Sequence, residues 1–100
     1  MVVEINSKNF EEEVLKSKET VILDFYGTWC MPCKMIAPIV EKIAEEKGIK
    51  LAKVDVDQNE ELIKKFRIMS IPTLKIFKEG KEISSLVGLV SEAKILEQIQ

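Results

Sequence analysis

Cys30 and Cys33 are the chain's two cysteines, held in the stretch Trp29-Cys30-Met31-Pro32-Cys33-Lys34. Two thiols at this spacing fit three chemistries: a structural staple, part of a zinc site, or a redox-active dithiol. A staple closing so short a loop contributes roughly 2 kcal/mol on the chain-entropy model, against about 3 for a 15-residue loop. A chain of 100 residues buries a core without it. Zinc wants four ligands, and with two cysteines and no histidine the site would need two carboxylates or a second chain. An apolar run leading into Cys-x-x-Cys, with a helical pattern after it, reads instead as a thiol–disulfide redox site.

That chemistry needs one thiolate near neutral pH. Cys30 falls at the N-terminus of the expected helix, where unpaired N–H groups and the helix dipole stabilise an anion. The field is worth at most about 2 kcal/mol, or roughly 1.5 pK units, enough to bring a free thiol near neutrality. Cys30 is the expected nucleophile, forming a mixed disulfide with its substrate. Cys33, one turn in and expected to be more buried, is the resolving thiol.

The rest of the sequence must position these two sulfurs. Hydrophobic content of 46% and charged content of 32% are those of a soluble globular protein. A net charge of −2 with basic residues spread along the chain leaves no footprint for nucleic acid. No apolar run is long enough to span a bilayer. Met1-Val2-Val3-Glu4-Ile5 has neither the charged nor the apolar region of a secretory leader. The cytoplasm is the expected compartment, where thiols stay reduced. No Gly-rich phosphate loop occurs, so no nucleotide or flavin cofactor is expected. With no repeat or linker, residues 1–100 read as one domain.

Periodicity predicts a strand over residues 2–5 and a helix over 8–17, capped by Asn6-Ser7, with Phe10, Val14 and Leu15 inward. Val21-Ile22-Leu23-Asp24-Phe25-Tyr26 is apolar enough for a central strand covered on both faces. After a turn at Gly27-Thr28, a helix is expected over about 33–47, with Ile36, Val40, Ile43 and Ala44 at its core, a kink at Pro38 and a stop at Gly48. A strand over 51–56 and a short helix capped by Asn59 follow, the helix carrying Leu62, Ile63 and Phe66. Strands over 74–77 and 83–87 flank Lys78-Glu79-Gly80-Lys81 as a hairpin, and Ser91 caps a last helix with Ile95, Leu96 and Ile99. The order βαβαβαββα implies an α/β fold with parallel crossovers and a closing antiparallel hairpin.

Five ordered segments now carry a family resemblance. Residues 24–34, Lys34-Met35-Ile36-Ala37-Pro38, Lys53-Val54-Asp55-Val56-Asp57, Ser70-Ile71-Pro72-Thr73 and Phe77-Lys78-Glu79-Gly80 together resemble the thioredoxin family along essentially the whole chain. The resemblance implies the thioredoxin fold, a central mixed sheet flanked by helices on both faces. Since thioredoxin is itself a standard case of a lowered cysteine pKa, the agreement with the field argument above is not independent support.

Other residues acquire expected roles. Asp24 is the single charge in the central strand and shares a face with Ile22 and Tyr26. An edge-strand aspartate is the plain alternative. The resemblance implies a buried carboxylate behind Cys33, raised in pKa by desolvation, that takes and returns the proton of the resolving thiol. Lys53 matches the family's lysine near that carboxylate. Ile71-Pro72 matches its cis-proline loop, although base rates alone favour trans. Trp29, Met31, Pro32, Ile71, Pro72 and Gly88 are expected to form a small apolar patch for protein disulfides. Gly88 either leaves room for a substrate backbone or serves a turn or bulge. Lys34 reads as a solvated helix residue whose charge can add to the field at Cys30. Met31 stands where the family most often has glycine, and Tyr26 where it often has tryptophan. No histidine lies between the cysteines, which favours a reductant over an oxidant.

The implied function is that of a cytosolic dithiol/disulfide carrier, monomeric and free of metal or organic cofactor, that reduces protein disulfides and is recharged by a thioredoxin reductase. A thiol oxidant or isomerase is the rival within redox chemistry. A binding subunit that uses the same surface without redox turnover is the rival outside it.

Overall fold

The computed structural model describes residues 1–99. In chain order these form β1 (Val2–Glu4), a π-helical turn (Glu11–Leu15), β2 (Val21–Tyr26), α1 (Met31–Lys47), β3 (Lys50–Asp55), α2 (Glu60–Phe66), β4 (Thr73–Lys78), β5 (Lys81–Val87) and α3 (Glu92–Ile99). The strands make one five-stranded sheet in the order β1-β3-β2-β4-β5. β1, β3 and β2 run parallel, whereas β4 and β5 are antiparallel to their neighbours. This mixed sheet is the one the element order implied.

Alternation along β2 divides the core. Ile22 faces α1 and α3, packing with Ile36, Val40, Ile43, Leu74, Ile76 and Ile95. Val21, Leu23 and Phe25 face the other way, with Phe10, Val14, Val54, Leu62 and Phe77. On that second face Phe66 meets Phe10, Phe25 and Phe77 edge to face, with ring centroids 5.5, 5.7 and 6.0 Å away. Burying apolar side chains on both sides is why β2 reads as an almost unbroken hydrophobic run. Asp24 points to the α1 face by the same alternation.

Several boundaries differ from the sequence expectation for identifiable reasons. The helix expected over 8–17 is a short wide turn, in which Lys16 N–H donates to the Glu11 carbonyl. Its exit is taken over by Ser17, whose hydroxyl donates to Glu19 O at 3.1 Å and accepts from Glu19 N at 3.2 Å. Such local bonds compete with helix continuation. β3 lies one residue earlier than expected. Asn59 does not cap α2 with its side chain: its Nδ2 donates to Asp55 O at 2.9 Å. The hairpin turn is Glu79-Gly80 with φ of 52° and 79°, the left-handed pair that a two-residue turn demands. A side chain at Gly80 would also start 2.6 Å from the Leu15 carbonyl oxygen.

Phe66 links both helical pieces of its face to the sheet. A Phe66→Ala chain is expected to lose about 3 kcal/mol of stability, measured as a lower urea midpoint with an unchanged m-value.

Candidate functional site

β2 ends at Tyr26, and within a few residues the chain has turned into α1. The helix starts at Met31, two residues before the expected position, because Cys30 itself is the N-cap. Cys30 is extended, with φ −88° and ψ 112°, and its Sγ accepts the Cys33 backbone N–H at 3.2 Å. A sulfur has taken the place that a serine or aspartate oxygen takes at other helix starts. Pro32 lies in the first turn, where its missing N–H leaves no bond unmade. Cys30 and Cys33 are joined as a disulfide with Cα atoms 5.2 Å apart.

Burial does not separate the two cysteines. Both are 5% exposed, contrary to the expectation that Cys33 is the more buried. The first turn of α1 tucks both sulfurs under neighbouring loops, so the difference between them lies in what each faces. Cys30 Sγ sits 4.0 Å from the Ile71 carbonyl oxygen. Cys33 faces a pocket of about 250 Å³ shared with Asp24, Tyr26, Gly27, Thr28, Lys34, Ala37 and Lys53.

Asp24 is 3% exposed, and its Oδ1 is buried without a hydrogen-bond partner. Burial pushes its pKa up to about 6, partly offset by the positive charge of Lys53. Lys53 is register-paired with Asp24 across β2 and β3. Among the described residues it forms no ion pair with that carboxylate. Its ammonium lies instead 4.5 Å from the centroid of the Tyr26 ring.

The loop before β4 closes the other side. The Ile71–Pro72 bond is cis, and Pro72 is buried. Pro72 therefore contributes backbone rather than an exposed ring to the surface, which departs from the expected patch. Its carbonyl accepts from Gly88 N at 2.8 Å, tying the end of β5 to the loop. Gly88 has φ +88°, and nothing lies within 4 Å of where a side chain would start. Backbone conformation therefore demands the glycine, and the space above it is open.

Trp29 is 65% exposed, so it is not core. Its indole N–H donates to Asp57 Oδ2 at 2.7 Å. Trp29 and Ile71 line a groove of about 330 Å³ with Val56, Ile63, Ile68, Met69 and Ser70. Met31 and Pro32 are exposed at the helix start but do not line that groove. Gly27 lies beneath: a Cβ there would stand 2.9 Å from Trp29 Cε2 and 3.0 Å from Ile71 Cδ1. Asp57, Ile68 and Met69 were not singled out from sequence. Asp57 closes a segment that carried the resemblance, but nothing local marks it as the indole's partner. Met69, 94% exposed, reads in sequence as loop.

Among the described residues no group of three His, Cys, Asp or Glu side chains is placed to hold a metal, and no helix is long and apolar enough to cross a membrane. What the arrangement can do is exchange disulfides. It offers one sulfur beside an open groove, a second beside a buried carboxylate, and a helix N-terminus under both.

Comparisons with known proteins agree with this geometry. The family model described as Thioredoxin matches residues 1–100. The thioredoxin of Mycobacterium tuberculosis is 41% identical over 99 residues, covering 97% of this chain and 85% of that protein. A bifunctional thioredoxin reductase/thioredoxin of Mycobacterium leprae is 40% identical, the match covering 99% of this chain and 22% of that protein. The crystal structure of the reduced Schistosoma mansoni thioredoxin pre-protein superposes with a TM-score of 0.88 at 35% identity, covering 98% of this chain and 94% of that one. With the family model matched over residues 1–100, a thioredoxin 41% identical over nearly the whole chain and the same fold in a solved thioredoxin, the chain belongs to the thioredoxin family and is a thiol–disulfide oxidoreductase of the redox-carrier kind.

Proposed function

We propose that the carrier works as a cytoplasmic reductant of protein disulfides, in which Cys30 attacks, Cys33 resolves and Asp24 handles the proton between them. The observation that carries this division of labour is the side pocket holding Cys33 and Asp24 together. In the reduced protein the Cys30 thiolate attacks one sulfur of a substrate disulfide. A mixed disulfide forms and one substrate thiolate leaves. The Asp24 carboxylate takes the Cys33 proton, and the resulting thiolate attacks Cys30 Sγ. That breaks the mixed disulfide, releases the second substrate sulfur, and leaves Cys30–Cys33 oxidised. The two electrons have moved to the substrate, and the proton held on Asp24 completes its thiol. Lys53 and Lys34 lend positive charge to the pocket.

The substrate approaches as an extended segment over the groove. Trp29 and Ile71 supply apolar contact, and the open space at Gly88 accepts backbone. Met31 and Pro32, exposed at the start of α1 and outside that groove, add apolar contact, and the Ile71–Pro72 backbone is suited to pairing with a bound strand. A thioredoxin reductase is the proposed electron donor, a pairing that the fused relative supports by carrying both activities in its name. The protein acts as a monomer and as a single domain, a reading that the family match over residues 1–100 supports for the domain alone. Reduction of an insulin-type disulfide by this chain with a candidate reductase tests the function directly. No turnover with any reductase or chemical dithiol, together with a biological role that survives Cys30→Ser and Cys33→Ser combined, would overturn it in favour of a redox-independent subunit.

Two expectations follow from the site. Asp24 carries a proton more tightly when folded than its ordinary pKa of 3.8 allows. The folded state therefore holds one more proton than the unfolded chain between that value and about 6. Stability falls as pH rises through this window, by about 3 kcal/mol at most. An Asp24→Asn chain lacks that loss, so the stability difference between mutant and wild type grows in the mutant's favour from about pH 4 to about pH 7. The same variant reduces protein disulfides about tenfold more slowly above pH 7, with the deficit vanishing below about pH 5. Equal rates across the whole range would sink the proton-transfer role.

Trp29→Ala is expected to lower kcat/KM for a protein disulfide about tenfold or more. A small aromatic disulfide, which needs no groove, should lose much less.

A further inference from the structure

Glu4, Lys53 and Asp24 form a row across three adjacent parallel strands: Glu4 pairs in register with Lys53, and Lys53 with Asp24. Register partners of parallel strands point to the same face, so one ammonium stands between two carboxylates. It forms an ion pair with neither among the described residues. It lies over the Tyr26 ring, 4.5 Å from the centroid. That ring is anchored at its far end, where the Tyr26 hydroxyl donates to Glu4 Oε1 at 2.6 Å, with Oε2 at 3.3 Å. The electron-rich face of a phenol attracts an ammonium, which competes with a direct contact to Asp24.

We propose that Glu4 is a positioning residue for disulfide exchange: through Tyr26 and its own charge it holds the Lys53 ammonium off the Asp24 carboxylate. Asp24 then stays an unpaired proton carrier rather than one arm of a fixed ion pair. The consequence for exchange rests on the role proposed above for Asp24, but the placement of Lys53 does not. The burial that raises Asp24's pKa to about 6 would be largely cancelled by an ammonium in contact with it. The groups facing this carboxylate are Lys53 on β3, Glu4 on β1 and Tyr26 on β2, with Glu41, Cys33 and Lys34 on α1. Burial and the bond to Glu4 push Tyr26's own pKa up, so the phenol remains a donor throughout the working range.

The test titrates the Asp24 side-chain carboxyl by carbon NMR in the oxidised protein, for wild type, Glu4→Gln, Lys53→Met and the double variant. Glu4 is exposed on an edge strand, so Glu4→Gln is expected to fold, and glutamine still accepts the Tyr26 hydroxyl. Loss of its charge should lower the Asp24 midpoint by about half a pH unit or more. If Glu4 acts through Lys53, that shift is at least halved in the Lys53→Met background. An unmoved midpoint, or the same shift in both backgrounds, overturns the proposal, since Glu4 would then act on Asp24 through space or not at all. Tyr26→Leu, which removes the platform, should move the midpoint in the same direction as Glu4→Gln, and an upward move counts against it. Between about pH 5 and the wild-type midpoint, exchange rates should rise by up to about twofold in Glu4→Gln, as a larger ionised fraction of Asp24 adds to the Asp24-independent rate. If the midpoint moves and the rate does not follow, the positioning of Lys53 stands and the proton-carrying role of Asp24 fails.

Discussion

A helix must begin somewhere, and here it begins on a sulfur. The first N–H groups of α1 have no carbonyl below them, and the Cys33 N–H finds Cys30 Sγ instead. The group that satisfies the helix is also half of the redox disulfide, so cap and redox sulfur are one atom. Whatever stabilises a negative cap stabilises the thiolate. The other site elements answer to that placement. β2 delivers the chain to the cap, the cis-proline loop sets a carbonyl near the same sulfur, and the pocket at the back brings the second sulfur together with a buried carboxylate.

The second constraint is electrostatic and opposes the first. A carboxylate inside the sheet is costly, and the fold leaves Asp24 Oδ1 without a partner. A protein built for stability alone would place an apolar residue there or close an ion pair on it. Keeping it unpaired trades stability above its pKa for a group that can accept a proton near neutral pH. Two lysines more buried than Lys53 show the alternative solution. Lys50 reaches Glu13 at 3.0 Å, and Lys75 reaches Glu82 at 2.8 Å. Lys53 alone of the three has no carboxylate partner among the described residues, and its ammonium rests on the Tyr26 ring.

Much of the fold was readable because hydrophobic periodicity and punctuation act locally. The continuous run of β2, Gly48 as a left-handed helix stop and Glu79-Gly80 as a hairpin turn each follow from the backbone needs of a few residues. What was missed depends either on local side-chain bonds that compete with the regular pattern or, at the site, on distant partners. Ser17's bonds to Glu19 ended the first helix early, and Asn59 turned to Asp55 rather than to its own helix. At the site, spacing identified Cys30 and Cys33. The equal burial of the two sulfurs, the Asp57 anchor of Trp29 and the reach of Glu4 to Tyr26 arise from tertiary approach, which no single segment encodes. Asp24 was legible as an anomaly, a charge where a charge should not be, and the resemblance supplied its meaning.

Gly27 has a clearance of one hydrogen atom. The indole of Trp29 and the end of the Ile71 side chain close over it from two sides. The floor of the reactive face is therefore set by backbone, and no substitution can raise it without displacing both walls. Any tailoring of which proteins this carrier prefers must fall to the outward side chains around that floor: Thr28, Met31 and Met69, all exposed. Two of those are methionine, long, flexible and polarisable. The face combines an unyielding base with a compliant border, a construction suited to gripping many differently shaped partners at one invariant point of attack.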